Sequence, residues 1–140
     1  MLLIDTNVWL ELLLDQEKAK EVRNLFQQTD SSLMAISEFS LYSIGIILIR
    51  LNKNDLFLDF LNDTIEESGL EVVRLGLSDL KEAVAATKKF NLDFDDAYQY
   101  VAGSKHDYML ISFDTDFDHT DRGRKTPGES ISLIVNPSGS

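Results

Sequence analysis

Short apolar runs alternate with longer helical patterns along this chain, and this alternation constrains the possible folds more than any other feature of the sequence. The apolar runs predict buried strands at Leu2–Ile4, Leu33–Ile36, Val72–Leu75, Tyr108–Phe113 and Ile131–Val135. Apolar residues at helical spacing predict helices over Lys18–Gln28, Glu38–Leu51, Asp55–Glu67, Ser78–Lys89 and Asp95–Gly103. Strands that alternate with helices are typical of an α/β domain. We therefore predict a three-layer α/β/α sandwich around a central, mostly parallel sheet.

The length of the chain indicates the number of its domains, and its charge restricts the classes of function that it can have. Its 140 residues predict a single domain over 1–140, with a loop at 118–130 near the C-terminus. The net charge of −11 makes the chain a poor candidate for a binder that relies on a broad basic face, because affinity for nucleic acid comes mainly from neutralised phosphates. Such a chain can still act on nucleic acid if metal ions supply positive charge locally.

Cysteine content and apolar runs bear on the compartment. The absence of cysteine excludes zinc ribbons and thiol catalysis, and it fits a reducing compartment. The first residues lack the basic region of a signal peptide. The longest apolar stretch, from Phe39 to Ile49, is too short to cross a bilayer. We expect a cytoplasmic protein with no membrane partner.

Acidic residues follow the predicted strands. Asp5 comes directly after the first strand, Glu38 follows the second by two residues, and Asp114 follows the strand that ends at Phe113. Asp96 stands in the first turn of the helix before that last strand. Ligands of parallel α/β sheets lie outside the carboxyl ends of the strands. The four acids are therefore expected to meet at one edge of the sheet.

Each acid taken alone also has an ordinary structural explanation. Asp5 would cap a helix, Glu38 and Asp96 would favour a helix N-terminus, and Asp114 would suit a turn. Four carboxylates held together repel one another, so a protein that gathers them usually holds a cation there. Ligands that are oxygen only, without His or Cys, suit Mg²⁺ or Mn²⁺ rather than zinc.

Three segments together resemble the PIN domain family, the metal-dependent nuclease fold of VapC-type toxins and related ribonucleases. They are LLIDTNVWL, ISEFSLYSIGIIL and DDAYQYVAGSKHDYMLISFDTDF. The first carries the family's opening strand and its D-[ST]-[NS] motif. The last carries the patterns D-A-x-x-x-x-A and [TS]-x-[DN]-x-D-F. The resemblance spans the order of elements along about the whole chain and implies a Rossmann-like α/β fold.

The resemblance assigns roles to individual residues. It implies that Asp5, Asp96 and Asp114 are catalytic metal ligands and that Asp116 is an auxiliary ligand. The second acidic position falls to Glu38, the only acid between Asp30 and Asp55. The family usually carries this Glu inside the helix with a Gly about one turn later, whereas Gly45 lies seven residues after Glu38. Supporting groups around the site, or groups that contact substrate, are expected at Asn7, Asp93 and Ser112.

The resemblance also implies an activity and partners. It implies an endonuclease that cleaves single-stranded or structured RNA with Mg²⁺ or Mn²⁺, as the toxin of a toxin–antitoxin pair. A small antitoxin protein and a homodimer, formed through the apolar helix that follows Glu38, are the expected protein partners. The alternative is a catalytically inactive PIN-like module that binds RNA or protein, and the unusual position of Glu38 is its best support.

Overall fold

The computed structural model describes residues 1–135, with side chains as far as Ile131. Four strands and seven α-helices alternate along the chain. The strands are β1 (Leu2–Ile4), β2 (Met34–Ser37), β3 (Glu71–Val73) and β4 (Met109–Ile111). The α-helices are α1 (Thr6–Leu13), α2 (Ala19–Gln28), α3 (Glu38–Arg50), α4 (Asn54–Asp59), α5 (Leu77–Phe90), α6 (Phe94–His106) and α7 (Pro127–Val135). A π-helix, Phe60–Glu67, extends α4, and 3₁₀ turns cover Ser31–Leu33 and Thr115–His119.

The strands form one sheet in the order β3-β2-β1-β4, and every pairing is parallel. Side chains alternate between the two faces of each strand. Ile4 packs with core residues of α1, α2 and α3, whereas Leu3 packs with Ala102 of α6 on the opposite face. Helices α5 and α6 pack together on that second side. The predicted α/β/α fold is therefore confirmed, and its sheet is parallel throughout.

The predicted fifth strand at Ile131–Val135 is wrong, because these residues lie in α7, which packs against α2. A short apolar run does not by itself distinguish a strand from a buried helix. Pro127 at the first helical position favours a helix start. The edge of β4 is met instead by Lys125, whose N–H donates to Leu110 O (2.9 Å). The irregular segment near the C-terminus is consequently shorter than the predicted 118–130 loop.

The helix at Thr6–Leu13 follows β1 immediately and was not among the predicted helices. Asp5 caps it, because the Asp5 side chain accepts a hydrogen bond from the N–H of Thr6. The turn from β1 into α1 therefore fixes an acidic residue at the carboxyl end of a central strand. Within the residues that the structure describes, no helix is long and apolar enough to cross a membrane.

Candidate active site

Asp5 is the most deeply buried acid at the carboxyl edge of the sheet, with 6% of its surface exposed. Its backbone N–H donates to Ile111 O of β4 (2.9 Å), so the residue that follows β1 is also tied to the edge strand β4. Burial raises the pKa of the Asp5 carboxyl above its ordinary value, and hydrogen bonds from Ser112, Thr6 and Gln99 oppose that rise. The buried carboxylate thus depends on its hydrogen-bond donors to stay charged.

Four donors surround the Asp5 carboxylate. Oδ1 accepts from the Thr6 N–H (2.8 Å) and from Gln99 Nε2 (3.0 Å). Oδ2 accepts from Ser112 Oγ (2.7 Å) and, at a longer 3.4 Å, from Asn7 Nδ2. An ionised carboxylate has about four acceptor positions. The surrounding donors therefore hold both oxygens of Asp5 in fixed positions.

Ser112 and Asn7 also connect Asp5 to the segment after β4. Ser112 Oγ accepts from the Asp114 N–H (3.0 Å), and Asn7 Oδ1 accepts from the Phe113 N–H (3.2 Å). Ser112 is fully buried. Both residues, which the sequence analysis expected around the site, thus link the turn after β1 to the turn after β4.

Three further carboxylates form a compact group that we call the acidic cluster: Asp96, Asp114 and Asp116. One carboxylate oxygen from each lies within 4.8 Å of the other two. Asp96 comes from the first turn of α6, and Asp114 caps the 3₁₀ turn after β4. Asp114 Oδ1 accepts from the Asp116 N–H (2.8 Å). The cluster thus joins two elements that are distant in sequence.

The three carboxylates of the acidic cluster repel one another. Burial is the largest cause that raises the pKa of Asp96 to about 7, followed by the charges of Asp114 and Asp5. A hydrogen bond between the Asp96 and Asp114 carboxyls and the charge of Asp116 act in the same direction. Like charges at close range share protons because full ionisation is costly. Asp96 is therefore harder to ionise than an ordinary aspartate when no cation is present.

The donor set fits a hard divalent cation. All three groups of the acidic cluster offer carboxylate oxygens, and Asp5 couples electrostatically to Asp96 and Asp114. Oxygen ligands of this kind suit Mg²⁺ and Mn²⁺. A bound cation would offset the repulsion between the carboxylates and favour their ionised forms.

Glu38 and Asp93 lie outside the acidic cluster. Glu38 is the first residue of α3, and its Oε2 lies 2.5 Å from Arg74 Nε just after β3. Asp93 is the exposed N-cap residue of α6, and its carbonyl accepts from the Ala97 N–H (2.9 Å). The structure therefore brings Asp96, Asp114 and Asp116 together beside Asp5. The Glu38 carboxylate instead forms an ion pair with the Arg74 side chain.

Gln99, whose amide reaches Asp5, was not among the predicted site residues. Gln99 lies three residues after Asp96 on α6, so the two side chains project from one face of the helix. It is 2% exposed, and its Nε2 also donates to Ser40 Oγ of α3. The D-A-x-x-x-x-A pattern leaves this position open. The helical spacing from Asp96 was the one available signal.

A groove of about 350 Å³ opens beside these carboxylates, between α1, α3 and the start of α6. Its acidic end carries Asp5, Asp95 and Asp96. Its walls are largely apolar and include Leu10 and Phe39. The cluster is consequently reached along a surface that offers both apolar contact and negative charge.

Comparison with known proteins agrees with this architecture. The PIN domain family matches residues 2–123, so the chain belongs to the PIN domain family. No curated protein sequence matches the chain significantly.

Solved structures share the fold at low sequence identity. A toxin–antitoxin complex from Klebsiella pneumoniae matches at 19% identity and a TM-score of 0.71, covering 91% of this chain and 98% of the other. FitAcB from Neisseria gonorrhoeae matches at 18% identity and a TM-score of 0.72, covering 91% of this chain and 98% of the other. VapC20 of Mycobacterium tuberculosis, described as a sarcin-ricin loop cleaving toxin, matches at 15% identity and a TM-score of 0.73. This match covers 84% of this chain and 93% of the other.

Proposed function

We propose that this chain is a divalent-metal-dependent endoribonuclease that cleaves single-stranded or structured RNA. The observation that carries the proposal is the acidic cluster, in which three carboxylates converge within 4.8 Å at the edge of the sheet. Membership of the PIN domain family supports the same activity. A structural neighbour described as a sarcin-ricin loop cleaving toxin supports RNA as the class of substrate.

The proposed ligands of Mg²⁺ or Mn²⁺ are Asp96, Asp114 and Asp116, with Asp5 beside them. The hydrogen bond from Asn7 to Asp5 is the longest of the four, at 3.4 Å, so it is the one that an ion would replace most easily. A divalent ion in such a site supplies an activated water and neutralises charge on the phosphoryl oxygens.

The remaining residues act on these ligands. Ser112 and Asn7 hold Asp5 and the turn after β4 in register. A cation bound there would favour the ionised form of Asp96, whose pKa is raised in the metal-free protein. For Glu38 and Asp93 we propose roles at the border of the site, Glu38 as the fourth acidic group and Asp93 as a source of negative potential.

We further propose a protein partner for the groove. Toxin–antitoxin complexes among the structural neighbours support an antitoxin. The apolar walls and acidic end suit a partner segment with apolar and basic side chains. Exposed Tyr42 and Ile49 on α3, which do not line the groove, support a homodimer through that helix. The proposed compartment is the cytoplasm.

Incubation of purified protein with labelled single-stranded RNA tests the activity, in Mn²⁺, in Mg²⁺ and in EDTA. Asp5→Asn and Asp96→Asn remove one proposed ligand each. Asp55→Asn is the matched control, because it makes the same charge change at an exposed position in the first turn of α4.

The proposal predicts metal-dependent cleavage by the wild type and by Asp55→Asn, lost in both ligand variants. Equal cleavage by all four proteins would contradict it, since a contaminating nuclease would then account for the products. No cleavage, together with no thermal stabilisation by either metal, would favour the alternative of an inactive binding module.

A further inference from the structure

Gln99 is the side chain that links Asp5 to the helix carrying Asp96. Its Nε2 donates to Asp5 Oδ1 (3.0 Å) and also to Ser40 Oγ. The residue is 2% exposed, so water does not compete for these hydrogen bonds. One buried amide therefore contacts the deepest acid of the site from the same helix that supplies Asp96.

The other end of the Gln99 amide shows that this orientation is specific. Oε1 is buried and accepts no hydrogen bond from any residue in the described part of the chain. A buried acceptor without a partner is costly and calls for an explanation. The opposite orientation would point Oε1 at the Asp5 carboxylate, where two acceptors repel. Satisfying Asp5 thus takes precedence over satisfying Oε1.

Ser40 fixes the amide in this orientation. Thr6 Oγ1 donates to Ser40 Oγ (2.8 Å), and the Ser37 hydroxyl lies 3.1 Å from the same oxygen. Ser37 and Ser40 are fully buried. The hydroxyls come from the start of α1, the end of β2 and the first turn of α3. The amide is therefore anchored to the elements around it and is not free to rotate.

We propose that Gln99 is a positioning residue of the metal site: its amide holds the Asp5 carboxylate in place beside the acidic cluster and so strengthens the binding of the divalent ion. This inference rests on the proposed function. Gln99 itself acts only through Asp5. Residues that orient metal ligands in this way typically change metal affinity or activity by about 10–100-fold when they are replaced.

Gln99→Met tests the inference, since methionine has a similar length but no amide. Mn²⁺ affinity is measured by calorimetric titration of the full chain. We expect the Kd for Mn²⁺ to rise about tenfold or more. Val101→Ala is the matched control, because Val101 is buried on the same helix and packs against α5, away from Asp5. It should lower the melting temperature and leave the Kd within about twofold of wild type.

Ser40→Ala provides a second variant in case Gln99→Met does not fold. It leaves every acid and Gln99 in place but removes the acceptor that orients the amide. We expect a rise in Kd of about two- to fivefold, the effect of one ordinary hydrogen bond.

The outcomes separate this inference from the proposed function. Folded Gln99→Met or Ser40→Ala protein that binds Mn²⁺ as tightly as the wild type would overturn the positioning role. If Asp96→Asn fails to bind Mn²⁺ in the same titration, the proposed metal site still stands. A wild type that binds neither Mn²⁺ nor Mg²⁺ would overturn the proposed function, and the positioning role with it.

Discussion

Asp5 and the acidic cluster lie at the same edge of the sheet, but their surroundings differ. Asp5 is buried and receives four hydrogen bonds from side chains and backbone. Within the described residues, the cluster receives fewer hydrogen bonds: a backbone N–H donates to Asp114, and the Asp96 and Asp114 carboxyls are hydrogen-bonded to each other. Hydrogen-bond donors of the protein thus surround the Asp5 carboxylate, whereas the three carboxylates of the acidic cluster face one another.

Because of this difference, the two regions contribute to the stability of the fold in opposite ways. The donors around Asp5 make its carboxylate part of the fold, because it caps α1 and accepts a hydrogen bond from Ser112 after β4. The acidic cluster instead costs stability in the absence of a cation, since like charges held together oppose folding. Removal of a charge should therefore have opposite effects on stability at the two places.

Asp96→Asn should produce the largest effect. It removes a proposed metal ligand, so we expect RNA cleavage to fall more than about 100-fold, beyond the usual cost of losing a residue that only supports a ligand. The repulsion with Asp114 also disappears, so the metal-free protein should unfold at an equal or higher temperature. Single-turnover cleavage and thermal unfolding measure the two effects. A less stable variant with full activity would contradict the comparison.

Asp5→Asn should lower the free energy of unfolding, in contrast to Asp96→Asn. The new amide places a donor against either Ser112 or Gln99, and the loss of hydrogen bonds to a buried charge costs about 1–3 kcal/mol. Urea unfolding of the metal-free protein at neutral pH checks this. If Asp5→Asn and Asp96→Asn shift the urea midpoint in the same direction and by the same amount, the two regions are not distinct.

The pH dependence of stability near neutral pH should come from the carboxyls with raised pKa values, Asp96 of the acidic cluster and the buried Asp5. The pKa of Asp96 is about 7 in the folded protein against an ordinary value of 3.8, so the folded state binds more protons between these values. The free energy of unfolding of the metal-free protein should therefore fall as the pH rises through this window.

Melting temperatures between pH 5 and pH 8 measure this slope. Carboxyls with lowered pKa values, such as Asp79, add stability that is lost only at more acidic pH. Asp96→Asn should flatten the decline, and saturating Mn²⁺ should flatten it in the wild type. A decline of unchanged steepness in Asp96→Asn would assign the effect to another group.

Glu38→Gln should have the smallest effect. The Glu38–Arg74 ion pair is partly exposed and should contribute about 0–1 kcal/mol. Because Glu38 lies outside the acidic cluster, we expect reduced cleavage of less than about tenfold and an unchanged Kd for Mn²⁺. Arg74→Gln is the matched control for the ion pair. Loss of Mn²⁺ binding in Glu38→Gln alone would make Glu38 a direct ligand.

The sequence predicts most of the fold because each central strand is a short apolar run with a clear end. The strand ends also place Asp5 and Asp114 correctly at the carboxyl edge. The same kind of pattern wrongly predicts a strand at Ile131–Val135, because these residues form a helix that packs against α2. Lys125, rather than a fifth strand, pairs with the edge of β4. Local patterns give the elements, and tertiary contacts decide between alternatives.

The acidic residues show a similar limit. Spacing identifies Asp96 as an acid of the first helical turn, but it does not reveal that Glu38 meets Arg74, since that contact joins residues 36 positions apart. The link from Gln99 to Asp5 spans 94 positions and uses an uncharged side chain. Long-range hydrogen bonds of this kind leave no periodic signal in the sequence.

Asp96, Asp114 and Asp116, beside Asp5, are the proposed site for a divalent cation. Anomalous diffraction from crystals soaked in Mn²⁺ tests this site. We expect a manganese peak among these carboxylates, about 2.1 Å from their oxygens, and no such peak in Asp96→Asn crystals. Wild-type crystals in saturating Mn²⁺ with no peak at the acidic cluster would contradict it.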